Sequence, residues 1–518
     1  MIARSIRARL LLISPAVLLV AAACGGPTTS PPAGSPAAPP AATAGSPDAP
    51  AASPATSPAE SPAESPDAGP GESPAGSPSE TAGASPGSSA GEPPSGATGD
   101  LFAYGVQYQE GADEIATTRI DYFRELSPDA NVTFSETGFD EAAFLTAMQT
   151  AQPPDVVRMD TALLGTYVAR GVLAPVDDCL AQHGVDPAAT FYDAARNQAT
   201  IDGQMYGVPE FMTTMNWLIN ESAFTDAGLD PATFDFSDWD AIRQANEQTA
   251  QVDGQISALG IDPKVPEFLP LWAKANGADM LSEDGMTAQL DQPEVVEALQ
   301  LAVDIIEAHG GASPFLDFRQ TWDFFGENNQ FAADQVAAHP MEQWYLNVLA
   351  GSSPDADVHA TPFVDRQGNP LTMATGSSLA ITSASQNPEA ACAFVTTLTH
   401  ESAWLRAAEE RKRMRDESGA ANTGVFIANR QATDRIFSEV VVPDQLPEPW
   451  GEAVQVYLDN WENAFAVPAS PAYATIFFGN DSIVAQAVAR ALEGEDPQAV
   501  LTEANAEAQD ALDEAAGN

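Results

Sequence analysis

The chain has 518 residues, of which 44% are hydrophobic and 18% charged, and 73 acidic against 21 basic residues give it a net charge of −52. So acidic a chain is unsuited to nucleic acid or to anionic lipid head groups, because both carry charge of the same sign. Three cysteines and five scattered histidines form no zinc-binding pattern, so we expect neither a metal nor a cofactor.

The first 23 residues have the layout of an export signal. Arg4, Arg7 and Arg9 precede an apolar run from Leu10 to Ala22, and no acidic residue occurs among them. A run of about 13 residues is shorter than the roughly 20 that a membrane-spanning helix needs. We therefore predict a signal peptide at 1–23 rather than a transmembrane anchor.

Cys24 follows directly on this segment. It comes after three alanines, Ala21 to Ala23, and before Gly25, an arrangement that resembles the lipobox of bacterial lipoproteins, although the family usually has Leu where Ala21 stands. The resemblance implies that Cys24 is lipidated and anchors the chain at the extracellular face of the cytoplasmic membrane. The alternative is a secreted protein with an incidental cysteine.

Residues 24–99 read as a tether. They consist almost entirely of Pro, Ala, Ser, Gly, Thr and acidic residues, with a loose Ser-Pro repeat. Such a composition cannot bury enough apolar surface to offset the entropy lost on ordering, so we predict a disordered segment. Fully stretched polyproline II would span on the order of 200 Å, which allows a folded domain to stand clear of the membrane.

Residues 100–518 alternate short apolar runs with amphipathic stretches, the pattern of an α/β fold. Farther along, Asp291 and Asp496 are predicted N-caps, the second followed by Pro497. Cys179 and Cys392 would form a disulfide if the fold brought them together, and the sequence leaves this open. The first predicted elements are strands at 101–106, 131–134 and 155–159 and helices at 115–126, 139–150 and 163–170.

Five blocks of this region resemble the extracellular solute-binding proteins of bacterial ABC importers, the group that contains the maltose-type binders. Each block is weakly specific, but their order and spacing across about 400 residues are those of the family. The blocks are PDVV at 154–157 with Asp160 and the stretch 167–178, then 201–209 leading to Asn220 and 224–229, then 234–239, then 331–337 leading to Trp344, and finally 375–381 leading to 387–395.

The resemblance implies a periplasmic-binding-protein-like fold of type II. Two α/β lobes would be joined by a hinge, with the ligand in the cleft between them: lobe 1 at about 100–212 plus 358–395, and lobe 2 at about 213–357 plus 396–518. It further implies a monomer that binds a small-molecule solute, most often a sugar or oligosaccharide in this family, and delivers it to the permease subunits of the importer.

Aromatic residues are the first site candidates that the resemblance gives. Trp344 follows the 331–337 block where relatives carry a cleft tryptophan, and Gln343 stands beside it as a polar partner. Trp272 lies where relatives present aromatics from the second lobe, and Trp217 precedes the Leu218-Ile219-Asn220 segment in which relatives have an aromatic. For each tryptophan the alternative is a place in the core.

Polar candidates come from the ends of strands and from a glycine turn. Asp160 ends the third predicted strand, where the family often places an acceptor for hydroxyl groups, and a helix N-cap is the alternative role. Gly376 and Ser377 resemble the family's glycine turn near the hinge, although backbone geometry alone would also explain the glycine. Residues 107–110 follow the first predicted strand, at the sheet edge where α/β proteins bind ligands. From these residues we choose Gln109 as the candidate.

Two other functional classes remain open. A secreted glycan hydrolase would need a positioned carboxylate pair or an activated nucleophile, and no motif singles one out, so we predict no catalytic residue and no enzyme activity. A wall-associated sensor or adhesion lipoprotein is the other class. The sequence does not identify the solute.

Overall fold

A computed structural model describes residues 91–106, 108 and 113–517 of the chain. The predicted signal peptide at 1–23, Cys24 and the tether up to residue 90 lie outside the described residues, as do Gln107, Gln109 and Glu110. The described part is a mixed α/β structure, which confirms the predicted class. Among its helices, none has both the length and the apolar character that crossing a membrane requires.

The strands are labelled in chain order and most of them join one curled sheet, with β5 and β6 forming a separate hairpin. They are β1 (Thr98–Tyr104), β2 (Asp129–Phe134), β3 (Val156–Asp160), β4 (Leu173–Ala174), β5 (Thr200–Ile201), β6 (Gln204–Met205), β7 (Val208–Asn220), β8 (Gln251–Val252), β9 (Ile256–Ile261), β10 (Val336–Glu342), β11 (Val358–Thr361), β12 (Thr372–Thr382) and β13 (Ala464–Phe465).

The helices cover this sheet and are labelled in the same way. They are α1 (Glu114–Leu126), α2 (Glu141–Ala147), α3 (Leu164–Ala169), α4 (Asp177–Gln182), α5 (Pro187–Thr190), α6 (Asp193–Gln198), α7 (Glu221–Asp226), α8 (Trp239–Thr249), α9 (Leu269–Ala275), α10 (Pro293–Glu307), α11 (Ala312–Arg319), α12 (Trp344–Ser352), α13 (Pro388–Thr399), α14 (Glu401–Ser418), α15 (Arg430–Arg435), α16 (Trp450–Asn460), α17 (Tyr473–Phe477), α18 (Ile483–Leu492) and α19 (Pro497–Ala515).

The first lobe is built on the strand order β2-β1-β3-β12-β7. β1 pairs in parallel with β2 and β3, whereas β12 runs antiparallel to β3 and to the first part of β7. Helices α13 and α14 pack on α1 at the back of this sheet. The carboxyl ends of the three parallel strands meet at one edge, which is where open α/β sheets bind their ligands.

The second lobe continues the sheet as β7-β10-β9-β8. The last part of β7 pairs antiparallel with β10 on one edge and with β11 on the other. β7 is buried along nearly all of its 13 residues, as expected of a strand covered on both faces. It therefore crosses from one lobe into the other, and β12 lies beside its first part.

Most of the predicted elements of the first lobe are present with shifted ends. The helix predicted at 115–126 is α1, which Asp113 caps through bonds from the Ile115 and Ala116 amides. Asp496 caps α19 as predicted. The cap predicted at Asp291 is wrong: α10 begins at Pro293 after Gln292, because proline at the first position presets the helical φ without a side-chain cap.

The folded structure begins earlier than the predicted boundary at residue 100. The Gly96 amide donates to the Leu126 carbonyl (2.9 Å), and the Ala97 amide donates to Ser127 Oγ (3.1 Å). His400 Nε2 lies 2.8 Å from the Gly91 carbonyl oxygen. Residues 91–97, which we call the entry segment, therefore lie against α1 and the α13–α14 junction of the first lobe.

Cys179 in α4 and Cys392 in α13 form a disulfide, the pairing that the sequence left open. Their Cα atoms are 5.7 Å apart, within the range that a disulfide spans without backbone movement. The bond ties two helices of the first lobe. The lobe boundaries stay a prediction, although α14, expected in lobe 2, packs on α1 of the first lobe.

Candidate functional site

A cavity of about 560 Å³ opens at the carboxyl edge of the first-lobe strands. Such a volume lies within the usual range of small-molecule sites. A smaller cavity beside it shares Asp160 and Thr375 with the first and is bounded by second-lobe residues, among them Pro266 and Glu267. The first cavity is lined by Gly105, Val106, Asp113, Ala116, Arg119, Ile120, Gly138, Phe139, Arg158, Met159, Asp160, Glu210, Phe211, Thr213, Trp344, Thr375, Gly376, Ser377 and Leu398.

Four residues predicted from the sequence meet in this lining: Asp160, Trp344, Gly376 and Ser377. Strand register accounts for two of them, because Ser377 of β12 stands directly opposite Asp160 of β3. Ser377 also faces Phe211 of β7 on the other side. The three neighbouring strands thus place Asp160, Ser377 and the Phe211 ring side by side in the sheet. Together with Arg158 of β3, which also lines the cavity, Asp160 and Ser377 form what we call the polar row.

Trp344 is the aromatic wall that the second lobe contributes. It begins α12, directly after the short connection that follows β10. Tyr345 packs edge-on against it at a centroid distance of 5.7 Å, and Phe324 lies 6.2 Å away. The indole is half-buried, so its orientation is fixed by packing while part of it remains available to a ligand.

The floor of the cavity is a buried ion cluster. Glu210 is 2% exposed and accepts hydrogen bonds from Arg119 Nη2 (2.7 Å) and Arg158 Nε (2.5 Å). Ser377 Oγ donates to the same carboxylate (2.9 Å) and accepts from Arg158 Nη2 (3.0 Å). We call Arg119, Arg158, Glu210 and Ser377 the floor cluster.

The two guanidinium groups decide the charge of Glu210. Burial alone would raise the pKa of this carboxyl, but Arg158 and Arg119 outweigh it and lower the pKa to about 2. Burial lowers the pKa of Arg119, while the Glu210 charge raises that of Arg158. Arg158 keeps 36% of its side chain exposed, so the cluster offers hydrogen-bond donors to the cavity.

Asp160 is both a helix cap and part of the cavity wall. Its Oδ1 accepts from the Ala162 amide (2.9 Å) at the start of a short 3₁₀ turn, so the alternative considered from the sequence is present. Burial raises the pKa of this carboxyl to about 6, although the Ala162 amide and Arg158 act in the opposite direction. The free oxygen of Asp160 is suited to accept a hydrogen bond from a ligand hydroxyl.

Gly376 is required by the backbone. Its φ is +154°, and a Cβ atom there would lie 2.0 Å from the Phe211 carbonyl oxygen. Beside it, Thr213 and Thr375 share a hydroxyl–hydroxyl hydrogen bond of 2.5 Å across β7 and β12. The glycine therefore lets two strands approach closely at the base of the cavity.

Three other predicted residues lie in the core and not in the cavity lining. Gln343 is 1% exposed, and its amide is used by β7: Oε1 accepts from the Thr214 amide (2.8 Å), and Nε2 donates to the Met212 carbonyl (3.2 Å). Trp217 and Trp272 pack against each other and against Phe363. Trp272 Nε1 also donates to the Pro263 carbonyl (2.9 Å), so both indoles have packing roles.

Sequence reasoning missed Arg158, Glu210, Phe139 and Phe211. A detectable signal existed for Arg158, because it is a charged residue inside the strand predicted at 155–159, and buried charges need partners. No strand was predicted around Glu210, so no such signal was available there. Phe139 and Phe211 carried no such signal. Within residues 91–106, 108 and 113–517, no group of three or more His, Cys, Asp or Glu side chains is placed to hold a metal ion.

The sequence profile of the family described as bacterial extracellular solute-binding protein matches residues 103–403. Among curated proteins, an arabinooligosaccharide-binding protein of Halalkalibacterium halodurans is 25% identical over 215 residues, which are 39% of this chain and 43% of that protein. The chain thus matches less than half the length of this curated relative.

Solved structures extend the likeness over the whole folded part. CpMnBP1 with mannotriose bound has a TM-score of 0.64 at 20% identity, covering 79% of this chain and 99% of that chain. UgpB of Mycobacterium tuberculosis in complex with glycerophosphocholine has a TM-score of 0.61 at 19% identity, covering 80% and 99%. At these identities the likeness concerns the fold, and it confirms the predicted two-lobed, periplasmic-binding-protein-like architecture.

Proposed function

The chain belongs to the bacterial extracellular solute-binding protein family, and on this premise we propose that it captures an extracellular sugar or oligosaccharide for an ABC importer. The observation that carries the proposal is the cavity in which the half-buried Trp344 faces the polar row of Arg158, Asp160 and Ser377. An aromatic plane suits the C–H face of a pyranose, and paired donors and acceptors suit its hydroxyls. The arabinooligosaccharide and mannotriose of the two relatives support the same ligand class.

Delivery follows from the change of shape on binding. A ligand that contacts both lobes prefers the closed arrangement by its differential affinity and shifts the population toward it. The permease subunits of the importer would bind this closed form, and the solute would pass to them unaltered. The protein acts here as a monomeric binder and not as an enzyme.

We further propose that Cys24 carries the lipid anchor and that the segment after it is the tether. Replacing Cys24 by alanine should release the protein into the medium, as measured by blotting cell and medium fractions. A Cys24→Ala variant that stays in the membrane fraction would contradict the anchor while leaving solute binding untouched.

A thermal-shift screen of the full-length protein tests the function. Arabino-, manno- and malto-oligosaccharides are the sugar panel, and glycerophosphocholine is the contrasting ligand. One sugar class should raise the melting temperature, since a ligand at 100 times its Kd stabilises the folded state by about 2.7 kcal/mol. Stabilisation by glycerophosphocholine alone would contradict the proposal.

A search for cleavage products distinguishes the proposed binding protein from a glycan hydrolase. Chromatography of the sugars after prolonged incubation with the protein should recover them unchanged. Appearance of shorter saccharides would favour the glycan hydrolase, whereas the absence of binding to every panel member would favour a sensor or adhesion role.

A further inference from the structure

Phe325 is the most exposed large apolar residue in the described part of the chain, at 68%. It lies beside Trp344, with ring centroids 6.2 Å apart and planes inclined by only 20°. This is the displaced parallel arrangement that aromatic pairs adopt, in which part of each ring face stays uncovered. Trp344 lines the cavity and Phe325 is exposed to solvent next to it, and we call this pair of nearly parallel rings the shelf.

The backbone that carries Phe325 is fixed. The Gly326 amide donates to the Asp323 carbonyl (2.9 Å), which closes a β-turn with Phe324 and Phe325 at its two central positions. Asn329 Nδ2 then donates to the Gly326 carbonyl (3.1 Å). The exposed ring is thus held by a defined turn.

The shelf also has a buried foundation. Phe324 stacks on Tyr345 at a centroid distance of 4.4 Å, and Tyr345 is fully buried. Tyr345 Oη donates to the Phe324 carbonyl (2.8 Å), which ties the turn to α12. The same helix carries Trp344. Phe325 and Trp344 therefore keep a constant relation to each other, as a rigid binding surface requires.

We propose that the shelf holds two consecutive sugar rings, one against Trp344 inside the cavity and the next against Phe325 outside it. The proposal rests on the proposed function and deepens it, because it assigns the ligand as an oligosaccharide. A solvent-exposed phenylalanine on a fixed turn gains by covering its ring, and the apolar face of a pyranose is a matching surface. Phe325 is then a specificity residue for chain length.

Binding to a length series tests this. Isothermal titration of the full-length protein would use mono-, di- and trisaccharides of the sugar class that stabilises it. Phe325→Ala and Phe325→Leu should weaken the trisaccharide by about 3- to 10-fold and leave the monosaccharide unchanged, since one aromatic contact is lost. Phe325→Tyr should bind like the wild type, and Trp344→Ala should weaken every length.

Met414→Ala is the matched control, because Met414 is 40% exposed on α14, which packs on α1, and does not line the cavity. It should bind every saccharide like the wild type. Two results would overturn the shelf: Phe325→Ala with unchanged affinity at every length, which would leave Phe325 for a protein partner, or an equal loss at every length, which would mean that Phe325 only supports Trp344. Failure of the wild type to bind any sugar would instead refute the proposed function.

Discussion

The Asp160 side chain has two structural roles. Its carboxylate caps a short turn and lines both cavities, and burial raises its pKa to about 6. The unliganded protein therefore holds a carboxyl whose charged form is costly. Strongly shifted pKa values of this kind cluster at functional sites.

We predict that Asp160→Asn stabilises the unliganded protein at pH 8 and weakens sugar binding. The native pKa lies above the unfolded value of 3.8, so the native state binds more protons between about pH 4 and 6, and the wild type loses stability as pH rises through this range. Asparagine keeps the capping oxygen without the charge. Chemical unfolding of both proteins at pH 4 and pH 8 measures the difference.

At pH 4 the two proteins should differ much less, because Asp160 is then protonated. Thr213→Val serves as a control, since Thr213 lies in the same cavity and carries no charge. A constant stability difference between Asp160→Asn and the wild type across this pH range would contradict the assigned protonation.

The sequence could predict residue type more readily than side-chain direction. Ordered blocks fixed the place of Trp344 and Asp160 in the chain, and both residues line the cavity, while their contact with a ligand stays a prediction. For Trp217 and Trp272 the sequence left a place in the core as the alternative, because a tryptophan in an apolar segment is equally compatible with a core and with a cleft, and both side chains are buried. Only the packing of β7 against α9 brings the two indoles together, edge to face at a centroid distance of 5.7 Å.

At the scale of elements, the floor cluster joins parts that are distant in sequence. Arg119 comes from α1, Arg158 from β3, Glu210 from β7 and Ser377 from β12. Arg119 and Glu210 are buried charges, which are costly without partners. The cluster therefore fixes the relation between the helix and the strands that form the cavity floor.

We predict that Glu210→Gln destabilises the protein by about 3 kcal/mol or more, because it leaves two guanidinium groups without their shared carboxylate. Glu125→Gln is the control: Glu125 makes an exposed ion pair with Arg406, worth at most about 1 kcal/mol. Urea unfolding at pH 7 measures both. Equal losses in the two variants would contradict the role of the cluster.

The pH dependence of this effect has a defined sign. The native pKa of Glu210 is about 2, below its ordinary value of 4.5, so its stabilising contribution is complete above pH 4.5 and is lost as pH falls toward 2. The difference between Glu210→Gln and the wild type should shrink across that window.

The Cys179–Cys392 disulfide fixes α4 against α13 across 213 residues of sequence. We predict that the double variant Cys179→Ser, Cys392→Ser loses about 2 to 5 kcal/mol of stability, the usual cost of removing a native disulfide. Thermal unfolding with and without reductant measures this. The wild type should respond to reductant and the double variant should not; an unresponsive wild type would contradict the bond.

Element type was more predictable than element ends. The helix α1 was predicted within one residue because Asp113 and the apolar spacing agree. The strand β7 was not delimited, since its sequence VPEFMTTMNWLIN mixes apolar residues with Glu210, threonines and asparagines and shows no alternation of period two. Its length became evident only from the partners on both of its edges.

At the scale of the whole molecule, β7 connects the two lobes and β12 lies beside it at the crossing. The polar row of Arg158, Asp160 and Ser377 belongs to the first lobe, and Trp344 belongs to the second. A bound sugar would therefore bridge the lobes. Under the proposed function, closure would be a population shift driven by contacts that exist only when both walls touch the ligand.

We predict that the radius of gyration from small-angle X-ray scattering falls when the stabilising sugar is added. Trp344→Ala, which removes the second-lobe wall, should show a smaller change at a sugar concentration that saturates it. An unchanged radius in the saturated wild type would contradict closure.

The fold class and the family could be predicted because they depend on the order of many weak blocks. The lobe division could not be fixed, since the chain passes between the lobes more than once and the helix α14 packs on α1, far from it in sequence. Contacts between segments so distant leave no periodic trace in the sequence.

The entry segment, finally, fastens the start of the folded chain to the first lobe through Gly91, Gly96 and Ala97. Any pull along the preceding residues reaches α1 and the α13–α14 junction and bypasses the second lobe. If Cys24 anchors the chain as proposed, mechanical load from the cell surface would leave the movement of the second lobe free of tension. Solute binding would then not depend on the tension in the segment that joins the folded part to the membrane.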